Sequence, residues 1–172
     1  MNDLRPLQRS FFEQPLLDVA KNLIGHLLVR KRGDELLVGR IVETEAYAGP
    51  TDPSAHSFNG VSARCFAMFG PAGRSYVYAT QGRCHCINII AEGSCKGRGV
   101  LIRAIEPVAG HSYMLRRRQA RISSDSSRVK LENTPHELGR GPGKCEQLCN
   151  ESLIHAEFVF VLISLVNKIS WI

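Results

Sequence analysis

Residues 36–47 limit the fold of this 172-residue chain more than any other stretch, because an apolar run there ends in Glu43-Thr44-Glu45-Ala46-Tyr47. Alternate side chains of an extended backbone share a face, so Glu43, Glu45 and Tyr47 project together as two acids and a phenol. A solvated strand face carries the same residues, and spacing alone leaves both readings open. Residues 27–31 form a preceding apolar run, and Arg32-Gly33-Asp34-Glu35 between the two reads as a hairpin turn. The acids therefore stand on the second arm of a hairpin.

Around this arm the pattern predicts further elements. Residues 10–24 read as helical in their latter part, with Pro15 in the first turn, Leu16, Ala20, Leu23 and Ile24 as an apolar stripe, and Gly25 at the exit. Residues 75–80, 84–90 and 100–105 read as strands, and residues 91–99 as a glycine-containing connection. Tyr76 and Tyr78 share a strand face, where aromatic packing is a sufficient explanation. His56 falls in a loop after Gly49-Pro50-Thr51-Asp52-Pro53, which ends the acidic strand. Arg103 is the anomaly of its apolar strand, and a guanidinium there requires an acid, a phosphate or water; Glu43 and Glu106 are available as plain ion-pair partners. Residues 111–122 read as a helix whose Arg116, Arg117, Arg118 and Arg121 make a basic surface, followed by a polar loop. These elements imply a single α+β domain.

Lys and Arg number 22 against 16 Asp and Glu, a formal net charge of +6 that favours a polyanionic partner without naming it. The first eight residues lack the basic start and long apolar core of a secretory signal, so an intracellular protein with reduced cysteines is expected. Cys84-His85-Cys86 places its middle residue on the opposite strand face and has no second ligand pair at zinc-like spacing, so no metal site is expected.

Seven motifs stand in one order: Glu43-Thr44-Glu45-Ala46-Tyr47, Ser54-Ala55-His56-Ser57, Met68-Phe69-Gly70-Pro71-Ala72-Gly73, Tyr76-Val77-Tyr78, Cys86-Ile87-Asn88, Leu101-Ile102-Arg103-Ala104 with Glu106-Pro107, and Gly141-Pro142-Gly143-Lys144. In order and spacing they resemble the alkyladenine (3-methyladenine) DNA glycosylase family. The resemblance implies a curved, mostly antiparallel sheet with peripheral helices, similar to the C-terminal domain of methionyl-tRNA formyltransferase. It also implies a monofunctional hydrolase of base-excision repair that flips alkylated or deaminated purines (3-methyladenine, 7-methylguanine, hypoxanthine, ethenoadenine) out of double-stranded DNA and leaves an abasic site. Carried over residue by residue, Glu45 activates the water and Arg103 holds it. Tyr47, His56 and Tyr78 wall the base pocket, and Asn88 disfavours the guanine 2-amino group. Gln81 and Lys144 fall at DNA-contacting positions. The expected enzyme is a monomer without cofactor, metal or membrane attachment, associated with DNA in the nucleoid or nucleus.

Two departures qualify these expectations. The resemblance covers residues 10–144, which suggests a glycosylase-like domain over 1–144 and a divergent tail over 145–172 that replaces missing core elements. Within the tail, residues 158–166 are apolar but fall short of the roughly 20 needed to span a membrane, so they read as a buried strand or helix. Gln81 stands where the family carries a bulky wedge, usually tyrosine, and Arg83 replaces an apolar neighbour. A truncated, inactive DNA-binding remnant and an RNA-binding module are the competing readings.

Overall fold

The computed structural model describes residues 5–32, 35–80, 84–123, 139 and 161–164. Its elements run β1 (Arg5–Pro6), α1 (Arg9–Phe12), α2 (Leu16–Leu23), β2 (Leu27–Arg32), β3 (Glu35–Tyr47), β4 (Ser75–Thr80), β5 (Cys84–Ile90), β6 (Gly99–Ala109), α3 (His111–Ser123) and β7 (Val161–Ser164), with short 3-10 turns at Gly49–Thr51 and Phe66–Phe69. The strands form one antiparallel sheet in the order β1-β7-β2-β3-β6-β5-β4. The α+β expectation is met, and β7 pairs with β2 and β1 from within the C-terminal tail.

The hairpin expected at residues 32–35 is present, with β2 and β3 reaching one residue further to pair Arg32 with Glu35. Helix α2 buries Leu16, Val19, Ala20 and Leu23 on one stripe, and burying each large aliphatic side chain contributes about 1.5–3 kcal/mol. Pro15 stands just before this helix, at its cap position, rather than inside its first turn. Gly25 leaves the helix at φ 89°, and its N–H bonds to Ile41 of β3. The main core joins α2 to Leu37, Ile41, Ile87, Ile89, Val100, Ile102 and Ile105 of the sheet and to Met114 of α3.

Two irregularities in the β3–β6 ladder decide what the opposite face carries. Ile41 pairs with Ile105 but Glu43 with Ala104, so Val42 is an extra residue on β3; Thr44 then pairs with Ile102, so Arg103 is an extra residue on β6. Each bulge reverses the alternation of its strand, since the side-chain period is two. Before its bulge β3 sends odd-numbered Leu37 and Ile41 into the core. After it, Ala46 packs there and the Thr44 hydroxyl bonds to the Ala20 carbonyl of α2 (2.9 Å). Glu43, Glu45 and Tyr47 are thereby turned to the other side. On β6, Val100 and Ile102 alternate into the core until Arg103, after which Ile105 takes that role.

The chain leaves β3 through Gly49, at φ 71°, where a Cβ would lie 2.6 Å from the Lys96 carbonyl oxygen. Residues 91–98 therefore pass closely over this turn and are fastened on several sides. The Glu92 N–H bonds to Phe12 O (2.9 Å), the Glu92 carboxylate accepts from the Leu16 N–H at the start of α2 (2.6 Å), and the Cys95 N–H bonds to Phe69 O (2.8 Å). Gly49→Ala combines a left-handed backbone with a backbone clash, costing on the order of 1–3 kcal/mol. A melting temperature lower by roughly 5 °C is expected by calorimetry, and an unchanged one would contradict this packing.

Candidate active site

A second cluster occupies the sheet face opposite the main core. The registers place Glu45, Leu101, Asn88 and Tyr76 in one row across β3, β6, β5 and β4, with Tyr47 opposite Gly99 and Tyr78 opposite Cys86 in neighbouring rows. Because same-face positions recur every second residue, Glu45, Tyr47, Asn88, Tyr76 and Tyr78 share this face. Cys65, Met68, Tyr76 and Ile90 form a small apolar core beneath it, packed against Tyr78.

At one end of the row lies a charged group. Arg103 Nη1 forms an ion pair with Glu45 Oε1 (2.8 Å) and its Nε–H donates to Glu43 Oε1 (2.8 Å), while the Tyr47 hydroxyl donates to Glu45 Oε2 (2.9 Å). Both candidate pairings of Arg103 with the β3 acids are thus made at once. Glu106 pairs instead with Arg40 (3.3 Å). Glu45 first, and then Glu43, stabilise the charged guanidinium and raise the Arg103 pKa. Burial, together with the hydrogen bond to Glu45, pushes the Tyr47 phenol up to about 12. The side chains of Glu45 and Arg103 are 37% and 39% exposed, so a ligand can reach this pair from solvent.

Aromatic rings occupy the other end. Tyr76 and Tyr78 stack with centroids 5.1 Å apart, and His56 meets Tyr78 edge-on at 4.5 Å. His56 Nδ1 lies 3.2 Å from the Tyr76 hydroxyl, so this buried phenol orients the exposed imidazole. Burial, and then the nearby Arg64 charge, lower the His56 pKa and favour its neutral form. Burial pushes the Tyr78 phenol upward, with the Cys86 thiol adding to the shift. The His56 loop is held by its neighbour, since the Ser57 hydroxyl donates to Gly97 O (2.5 Å). Gly97 has no room for a side chain: a Cβ there would stand 2.9 Å from that of Ser57. Asn88 is 4% exposed, and its Oδ1 is buried without a protein partner among the described residues.

Six of the eight residues singled out from the sequence lie around this face: Glu45, Arg103, Tyr47, His56, Tyr78 and Asn88. Gln81 and Lys144 lie outside the described residues; of residues 123–135, expected as a polar loop, Ser123 ends α3 and the rest lie outside the described residues. Among the described residues no three His, Cys, Asp or Glu side chains are grouped to hold a metal ion. One contributor went unassigned in the sequence, Tyr76 as the anchor of His56, while Glu43, expected only as a plain ion-pair alternative for Arg103, holds that guanidinium together with Glu45. The Tyr76-Val77-Tyr78 spacing marked Tyr76 only as aromatic packing. A recess of about 350 Å³ lined by Glu35, Leu37, His111, Tyr113 and Arg116 lies at the opposite end of β3. On the basic helix there, Arg116 bonds to Glu35 (3.3 Å) and lies over the Tyr113 ring.

A phenol whose pKa rises on folding supports the native state fully below its ordinary value of 10, and that support is lost as pH climbs to about 12. The melting temperature of the wild type should therefore fall more steeply between pH 10 and about 12 than that of Tyr47→Phe. Parallel curves would contradict the burial of this phenol against Glu45.

Comparison with known proteins places this arrangement. The sequence model of the methylpurine-DNA glycosylase family matches residues 10–157, continuing past Lys144. A protein of Alkaliphilus oremlandii whose assigned name is 3-methyladenine DNA glycosylase is 41% identical over 150 residues, covering 87% of this chain and 72% of the relative. One from Clostridium tetani with the same assigned name is 37% identical over 164 residues, covering 88% and 79%. A third, from Myxococcus xanthus, is 48% identical over 104 residues, covering 60% of this chain and 54% of the relative. No described helix is long and apolar enough to cross a membrane. Matched over most of its length, the chain belongs to the methylpurine-DNA glycosylase family, the DNA glycosylases of base-excision repair.

Proposed function

We propose that the chain hydrolyses the N-glycosidic bond of alkylated or deaminated purines flipped from duplex DNA, with Glu45 as the general base. The observation that carries this reading is the position of the Glu45 carboxylate. It lies on the open sheet face, held by Arg103 at 2.8 Å and Tyr47 at 2.9 Å, in the same surface as the Tyr76–Tyr78–His56 rings.

The chemistry follows from what the bond requires. A purine methylated at N3 or N7 carries positive charge and is already a good leaving group, whereas neutral hypoxanthine takes up a proton from solvent as it leaves; in both cases hydrolysis needs a placed water, an acceptor for its proton and negative charge near the oxocarbenium-like sugar. Glu45 supplies the last two, and Arg103, which stays protonated, aligns the water against it. Base extrusion costs a few kcal/mol, and stacking between Tyr47, Tyr78 and His56 offsets it at about 1–3 kcal/mol per base. Electron-poor purines stack best on such walls, which selects damage without a dedicated contact for every lesion. With the Tyr76 hydroxyl donating to Nδ1, neutral His56 keeps an Nε2–H for the base. Asn88, wedged in the pocket floor, excludes the guanine 2-amino group. Gln81 fills the gap in the duplex, and Lys144 meets a backbone phosphate. The protein works as a monomer, and the reaction leaves an abasic site with the strand intact.

Glu45→Gln keeps the shape of the side chain and removes the base, so single-turnover release of hypoxanthine from an inosine-containing duplex should fall about 100- to 10,000-fold. Substantial release by this variant would exclude Glu45 as the base; salt-sensitive duplex binding without release by the wild type would mark a DNA-binding remnant. Replacing Gln81 by tyrosine adds a stacking surface, so the Gln81→Tyr variant should bind damaged duplex more tightly and excise faster. Unchanged values would remove position 81 from the wedge role.

A further inference from the structure

We infer that Glu43 is a positioning residue for the water-holding guanidinium, and that it keeps the reacting surface net negative. This rests on the proposed role of Glu45 and goes beyond it. The Arg103 Nε–H is fixed by Glu43 and Nη1 by Glu45, each at 2.8 Å, so two acids on one strand hold a planar guanidinium at two separate edges. Among the described residues no acceptor takes Nη2, whose two N–H donors are left for a water or a substrate oxygen. Without Glu43 the guanidinium is free to turn about its bond to Glu45, and Nη2 loses its direction.

Charge gives the second part of the argument. Glu45 and Arg103 alone sum to zero, and a neutral pair offers little to a sugar that is becoming positive. With Glu43 the trio carries a net charge of −1. In the free protein Glu43 is half exposed and solvent weakens its field. A duplex seated on this face displaces that solvent, so the field strengthens where the oxocarbenium ion develops. The same negative charge repels DNA phosphates. Glu43 therefore opposes binding while favouring the reaction, the reverse of a residue that serves as a DNA contact.

The test separates those effects. Glu43→Ala should lower single-turnover hypoxanthine release about 10- to 100-fold, the scale expected for a misplaced catalytic group, while the duplex Kd stays unchanged or tightens. Glu43→Gln, which keeps the acceptor without the charge, should recover part of the rate. In an Arg103→Lys background, where the planar fork is gone, Glu43→Ala should cost clearly less, retaining only the part due to its charge; an equal loss in both backgrounds would overturn the positioning role. So would a weakening of duplex binding that accounts for the whole loss. The Arg103 Nε–H resonance in NMR reads the same contact without turnover. It should be protected from solvent exchange in the wild type and exposed in Glu43→Ala, and an unaltered signal would overturn the positioning role. A Glu43-dependent signal in a protein that releases no base would instead support the positioning and sink the glycosylase reading.

Discussion

One strand, β3, has to pack a hydrophobic core along half its length and present acids to solvent from the same register along the rest. Strict alternation cannot do this for residues 37–47, because Leu37, Ile41, Glu43, Glu45 and Tyr47 are all odd-numbered and would share one face. The extra residue at Val42 resolves the conflict, and the matching extra residue at Arg103 does so on β6. Had β3 kept its phase, carboxylates would be driven among the side chains beneath α2, at a desolvation cost of several kcal/mol per ion; had β6 kept the phase of Val100 and Ile102, Ile105 would be turned out of the core. The bulges are thus what makes a charged open face compatible with a core in the same pair of strands.

That arrangement explains why some of the molecule was legible in the sequence and some was not. Residues 75–80 and 84–90 alternate or run apolar between clear breakers and fold as the strands expected, and β2 and β3 pair as the two arms of the expected hairpin. The common direction of Glu43, Glu45 and Tyr47 was readable because it depends only on local spacing. Their relation to Leu37 and Ile41 was not, since the glycine of this strand, Gly39, stands three residues before the phase change and nothing in Arg40-Ile41-Val42 marks Val42 itself. The length of β6 was underestimated for a related reason. Glu106, Pro107 and Val108 look like a strand end, yet Pro107 pairs opposite Gly39 within the ladder.

The loop residues required tertiary information. His56 sits in a segment with no periodicity, and its partner Tyr76 lies 20 positions away. Only the resemblance marked it, and only the fold explains how an exposed imidazole acquires a fixed orientation. The pairing of Arg103 with two acids was likewise open in the sequence, where Glu43, Glu45 and Glu106 were all plausible. The bulge settles it by aiming Arg103 toward β3, while Arg40 takes Glu106.

The connection over residues 91–98 joins parts of the molecule that the sheet separates. Its Glu92 terminates the first turn of α2 on the packed side, and its Gly97 carbonyl holds the segment bearing His56 on the open side. Any excursion that lifts this clip releases a helix end and the segment bearing the His56 ring together. On the proposed reading, thermal loosening of the core and blurring of lesion choice are not independent events: discrimination is expected to degrade before the sheet does, beginning at residues 91–98.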